Sequence, residues 1–155
     1  MKYLLDASAL VELFLKLDAK SLLEILRKSC ILDLTIYEFC NALWKLAKIK
    51  KLITKDAAIA GAELLEKVIA GKMLEVSSGT AKLRDLMDKA SRSGMNIYDS
   101  AYIHIADKRK VVLVTEDSGL YTNAKGVFGI EVIRVRELLE RELTSGKNHN
   151  KGAFM

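Results

Sequence analysis

Apolar runs just long enough for a β-strand alternate along this chain with stretches of helical period, and that alternation restricts the fold more than any other feature. Parallel neighbours in a sheet must be joined by a long crossover, usually a helix, so the pattern implies a parallel sheet covered on both faces. Five strands are expected: Lys2 to Leu5, Cys30 to Leu34, Met73 to Val76, Val111 to Thr115 and Glu131 to Val135. The first and fourth are nearly unbroken Leu and Val, as befits strands buried on both faces, and are expected at the centre. Helical periods run over Ser8 to Leu17, Lys20 to Arg27, Ile36 to Ile49, Lys55 to Ala70, Thr80 to Ser91, Tyr98 to Lys108 and Arg136 to Leu143. The fold class is therefore α/β, a three-layer sandwich around a mostly parallel five-stranded sheet.

A chain of 155 residues, 50% of them hydrophobic, can close one core and is short for two. Proline is absent, so Gly, Asn and Ser punctuate the elements, as at Gly71, Ser77-Ser78-Gly79, Ser93-Gly94 and Asn123 to Gly126. One domain over 1–143 is expected, followed by a polar, flexible tail over 144–155. No apolar stretch approaches the roughly 20 residues of a bilayer crossing, and Asp6 interrupts the N-terminus before any secretory signal could form. A cytoplasmic protein without membrane spans is expected. The two cysteines, Cys30 and Cys40, are too few for a disulfide framework and are read as buried thiols. A formal charge of +5 permits an anionic partner without requiring one.

Ligands of open α/β sheets bind outside the carboxyl ends of the strands, and in this chain acids are expected there. Asp6 directly follows the first strand, Glu38 lies a turn into the helix after the second, and Asp117 follows the fourth. Asp99 opens the helix that feeds the fourth strand, so its end of that helix returns to the same edge. Each acid also has a purely structural reading. Asp6 and Asp117 suit helix N-caps, and Thr35-Ile36-Tyr37-Glu38 and Asn96-Ile97-Tyr98-Asp99 read as capping boxes or near relatives. The set resists that reading better than its members do, because several ionised carboxylates crowded together repel one another unless a cation relieves them. Oxygen-only ligands favour a hard ion, Mg²⁺ or Mn²⁺, suited to phosphodiester hydrolysis. Ser8 and Thr115, two residues from Asp6 and Asp117, are candidate supporting hydroxyls, with a structural role equally open.

With these residues in place, the sequence resembles the PIN-domain ribonucleases, and among them the VapC-type toxins of toxin–antitoxin pairs. The resemblance runs from Met1 to about Leu143 and rests on Leu4-Leu5-Asp6-Ala7-Ser8-Ala9-Leu10, Thr35-Ile36-Tyr37-Glu38-Phe39-Cys40-Asn41-Ala42-Leu43, Tyr98-Asp99-Ser100-Ala101-Tyr102 and Leu113-Val114-Thr115-Glu116-Asp117. It implies a PIN-like fold and a metal-dependent endoribonuclease in which Asp6, Glu38, Asp99 and Asp117 coordinate the ions. It further implies a homodimer and a VapB-type antitoxin laid over the acidic groove, with Leu13, Phe14 and Trp44 as the apolar residues to suspect, core packing being the commoner role for each. Glu116, a second acid beside Asp117, departs from the pattern and either joins the site or points to solvent.

RNA lying against an acidic site needs flanking cations, for which Lys45, Lys48, Lys50, Lys51 and Arg92 are candidates, while Tyr98 and Tyr102 are candidates for stacking on a base. Solvated faces for the charges and packing for the tyrosines are the commoner roles. A haloacid-dehalogenase-like phosphatase or a receiver domain also places Asp after its first strand. The former wants another Asp where Ser8 stands, the latter paired acids and a late lysine, and neither accounts for Glu38. A stand-alone PIN ribonuclease and a non-catalytic PIN binding module remain as alternatives.

Overall fold

The computed structural model describes residues 1–78 and 83–148, with side chains as far as residue 142. In chain order the elements are β1 (Tyr3–Leu5), α1 (Ala7–Lys16), α2 (Ala19–Leu26), β2 (Ser29–Leu32), α3 (Asp33–Trp44), a π-helical turn (Lys45–Ile49), α4 (Lys55–Ala70), β3 (Glu75–Ser77), α5 (Leu83–Ser93), α6 (Ile97–Arg109), β4 (Val112–Val114), α7 (Ser118–Phe128), β5 (Val132–Ile133) and α8 (Val135–Asn148). The sheet order is β3-β2-β1-β4-β5, and every pairing is parallel. β1 is central and β4 lies beside it, as their uninterrupted apolar character predicts.

Side chains alternate across the sheet with the period of two that a pleated strand imposes. Tyr3, Leu5, Ile31, Val114 and Ile133 face a core built with residues of α1, α2, α3, α4 and α8. Leu4, Cys30, Leu32, Leu113 and Val132 face the opposite core, packed by α5, α6 and α7. Burying each such leucine contributes about 1.5 to 3 kcal/mol, which is why short strands suffice. Among the described residues no helix is long and apolar enough to cross a membrane.

Several elements depart from expectation. Helix α3 begins at Asp33 rather than Ile36, so Leu34 belongs to a helix and β2 ends at Leu32. The helix expected to reach Ile49 changes at Lys45 into a π turn, closed by Lys50 N–H to Lys45 O at 2.9 Å. The segment read as punctuation around Asn123 to Gly126 is helix α7. Its fully buried residues are Leu120 and Ala124, one turn apart, with Tyr121 and Phe128 packed beside them, and Gly119, Asn123 and Gly126 mask the pattern in the sequence. β5 is shorter than expected because Val135 already starts α8. That helix runs to Asn148, past the expected start of the tail, and residues 149–155 of the expected tail lie outside the described residues.

Both cysteines are free; Cys30 is buried, but Cys40 is exposed, against expectation. Cys40 follows Phe39 by about 100° of helical rotation, so the phase of α3 that buries Phe39 turns its neighbour outward.

Candidate active site

After β1 the chain winds to one side through β2 and β3, then returns to build β4 and β5 on the other. The reversal leaves a crevice between the carboxyl ends of β1 and β4, where no crossover covers the sheet edge. Asp6 and Thr115 leave those two strands there, and the ladder continues past them through Asp6 N–H to Val114 O at 3.1 Å and Thr115 N–H to Ile133 O at 3.1 Å.

Asp6 is 5% exposed and caps α1, its Oδ1 accepting the Ala9 N–H at 2.8 Å. Thr115 Oγ1 donates to Asp6 Oδ2 at 2.5 Å and accepts the Asp117 N–H at 2.9 Å. Ser8 Oγ donates to both Asp6 oxygens, at 2.8 and 2.9 Å, and accepts the Glu116 N–H at 2.8 Å. The two hydroxyls expected as supports thus tie the turn after β1 to the turn after β4. Asp117 caps α7, accepting the Leu120 N–H at 2.8 Å.

Glu38 stands deeper in α3 than expected, because the helix starts at Asp33. Thr35 is therefore not its cap; Thr35 Oγ1 reaches back to accept the Leu32 N–H at 3.1 Å. Glu38 Oε2 accepts a 2.8 Å bond from the Tyr102 hydroxyl of α6. Asp99 sits in the first turn of α6, where Asn96 accepts the Asp99 N–H at 2.8 Å and its amide donates to Asp99 Oδ2 at 3.0 Å. This is the expected relative of a capping box, with the cap's side chain as the second partner.

Asp6, Glu38, Asp99 and Asp117 together line one cleft of about 300 Å³, shared with Ser8, Asn41, Lys45 and Tyr102. The acids act on one another in series. Burial pushes the Asp6 carboxyl up to about 6, against the bonds from Thr115, Ala9 and Ser8, and the Glu38 charge pushes it further. Burial also raises Glu38, with the Tyr102 bond opposing and the Asp99 charge reinforcing. Asp99 is raised by burial and by the Asp117 charge, with the Asn96 bond opposing. Among the described residues no three such donors lie close enough to clasp one ion directly. The all-oxygen donor set would suit a hard cation that keeps several of its waters.

Glu116 takes neither of its expected roles. Its Oε1 accepts the Val135 N–H at 2.7 Å and so caps α8. Tyr102 is 2% exposed and cannot stack on a base, whereas Tyr98 is 59% exposed. Of the candidate cations, Lys45 lines the acidic cleft; Arg92 pairs with Asp88 at 3.0 Å beside a separate recess between α5 and α6. Leu13 is core, whereas Phe14 is half-buried and packs edge-on against Phe39 with centroids 4.8 Å apart. Trp44 does remain exposed, on an apolar groove of about 650 Å³ between α3 and α4, with Leu43, Ala58 and Ile59. The sequence reading missed Asn41 and the positions of Thr35 and Tyr102. Glu38, Asn41 and Lys45 follow an i, i+3, i+7 spacing that puts them on one helical face, a signal available in the sequence.

A family model described as the PIN domain matches residues 3–126. The chain is 35% identical over 136 residues to Exonuclease VapC9 of Pyrobaculum aerophilum, covering 88% of this chain and 96% of that one. It is 33% identical over 124 residues to Ribonuclease VapC3 of the same organism, covering 77% and 92%. The crystal structure of PAE2754 from Pyrobaculum aerophilum superposes with a TM-score of 0.71 at 35% identity, covering 91% of this chain and 94% of that one. DNA-bound VapBC from Salmonella typhimurium gives 0.59 at 17% identity, covering 87% and 98%, a likeness of fold alone.

Proposed function

The chain belongs to the PIN-domain family, with VapC-type relatives, and from that premise we propose that it is a Mg²⁺- or Mn²⁺-dependent endoribonuclease and the toxin of a VapBC-type pair. One observation carries the reading: carboxylates from four separate stretches of chain line a single cleft at the sheet's switch point. The relatives' names, exonuclease and ribonuclease, support nuclease chemistry in general, and RNA as substrate is the narrower claim.

Asp6, Glu38, Asp99 and Asp117 would hold the ions. When bound, such cations polarise a phosphodiester and offset the charge that develops on its oxygens. The chain's own residues supply the geometry. Thr115 and Ser8 fix Asp6 from two directions, Asn96 orients Asp99, and Tyr102 holds one oxygen of Glu38. Lys45 offers the cleft a cation for a neighbouring phosphate of the strand. The exposed Trp44 groove would give a VapB-type protein an apolar seat on the helix that carries Glu38, and a homodimer is proposed from the family resemblance alone.

The test uses linear and circular RNA, with and without EDTA, beside Glu38→Gln and Asp99→Asn variants. Cutting of the circle by wild type alone, stopped by EDTA, is the expected result. Cutting of linear RNA only, from an end, would make the enzyme an exonuclease, and equal cutting by wild type and both variants would refute the site.

A further inference from the structure

The acids of the cleft are held by neighbouring side chains, and one of these is a buried tyrosine on another helix. Tyr102 lies one turn after Asp99 on α6, so the helix that brings Asp99 to the cleft also aims a phenol at α3. Its hydroxyl stands 2.7 Å from Thr35 Oγ1 and 2.8 Å from Glu38 Oε2. Both Thr35 and Tyr102 are almost wholly buried, at 0% and 2% exposure. The direction of the bonds follows from their first member. The Leu32 N–H can only donate, and it occupies Thr35 Oγ1 as an acceptor at 3.1 Å. A charged carboxylate can only accept, so Tyr102 donates to Glu38 and Thr35 donates to Tyr102. The result is a one-way chain from the backbone at the end of β2, through two hydroxyls, to one carboxylate oxygen.

We propose that Tyr102 is a positioning residue: its hydroxyl, oriented by Thr35, locks the Glu38 carboxylate in the pose that receives a divalent cation. This rests on the reading of the four carboxylates as a cation site. A buried phenol needs a partner in any protein, and that alone would explain a bond of this kind. What exceeds it is the choice of partner, an acid that lines the cleft, and the orientation of the phenol by a second buried hydroxyl. Among the described residues the other Glu38 oxygen accepts no hydrogen bond, which leaves it available to a ligand. Groups that orient a metal-binding side chain in this way usually govern affinity, and their loss weakens binding by about 10-fold to 100-fold.

The decisive measurement is Mn²⁺ binding by titration calorimetry without RNA, on wild type, Tyr102→Phe, Thr35→Val and Glu38→Gln, with a thermal melt of each in EDTA. Tyr102→Phe is expected to weaken Mn²⁺ binding about tenfold or more while it unfolds as one cooperative transition. Thr35→Val, which keeps the phenol but removes its orienting donor, should move affinity the same way by less. Adding Tyr102→Phe to Glu38→Gln should cost no further affinity, since the two act through one bond. In steady-state cleavage kcat should fall with KM nearly unchanged. If Glu38→Gln weakens Mn²⁺ but Tyr102→Phe and Thr35→Val bind it as wild type does, the tyrosine is only a packed phenol and the inference fails. If Glu38→Gln itself binds Mn²⁺ and cleaves like wild type, the reading of the site falls, and this inference with it. Should Tyr102→Phe fail to fold, the Thr35→Val titration decides alone.

Discussion

Asp6→Asn should do two opposite things at once: abolish cleavage and stabilise the cation-free protein at neutral pH. Burial raises the Asp6 carboxyl from 3.8 to about 6 even though Thr115, Ala9 and Ser8 all donate to it. A group whose folded pKa is raised contributes stability that is complete below the unfolded value and is lost as pH rises through the folded one. With each unit worth about 1.4 kcal/mol, the ionised carboxylate costs the folded state about 3 kcal/mol near pH 7 and only about 0.5 kcal/mol near pH 4. Asparagine carries no charge to desolvate, but its amide cannot accept the Thr115 proton where Oδ2 did, which returns about 1 kcal/mol. The net expectation is a gain of about 2 kcal/mol near neutrality that disappears in acid. Urea unfolding in EDTA at the two pH values measures it, with the slope of the transition checked for constancy. A variant less stable than wild type at neutral pH, or one whose advantage is the same in acid, would refute the claim that desolvation dominates at Asp6. The same variant should also lose the stabilisation that Mn²⁺ confers on wild type, because a ligand stabilises only the state it binds.

Lys45→Ala should weaken RNA binding and lower the salt dependence of binding by about one counterion, read from affinity against salt concentration; an unchanged slope would mean that Lys45 contacts no phosphate. Glu142→Ala should destabilise the fold by about 2 to 3 kcal/mol without altering the cleft, as seen in urea melts set beside Mn²⁺ titrations. Glu142 is 8% exposed in its side chain, accepts the buried Tyr3 hydroxyl at 2.7 Å, and pairs with Lys28 and Lys2. Burial opposes its ionisation, but the bonds from Lys28 and Tyr3 outweigh that and pull the carboxyl below its usual value. Its contribution should therefore fade as pH falls through that lowered pKa, opposite in sign to Asp6.

The parallel sheet was readable because its signals are local. Leu4, Leu5, Leu113 and Val114 announce strands buried on both faces, and acids placed directly after such strands must stand at the carboxyl edge. Asp6 and Asp117 could be placed on that basis alone. Helix α7 escaped because only Leu120 and Ala124 are fully buried, too few to outweigh the turn-forming residues between and around them. Leu13, open to either partner surface or core from the sequence, is packed inside, since periodicity names an apolar face without naming what meets it.

The order of strand and helix, the central place of β1 and β4, and the four acids at one edge are properties of short windows of sequence, set by pleat, helical repeat and residue polarity. Which acid feels which charge, that Thr115 clasps Asp6, that Glu116 leaves to cap α8, and that Tyr102 reaches Glu38 from another helix were decided only when the chain closed. These contacts span 19 to 109 positions of sequence. A hydrogen bond depends on separations of a few tenths of an ångström between groups on different elements, and only packed helices and strands set distances that finely.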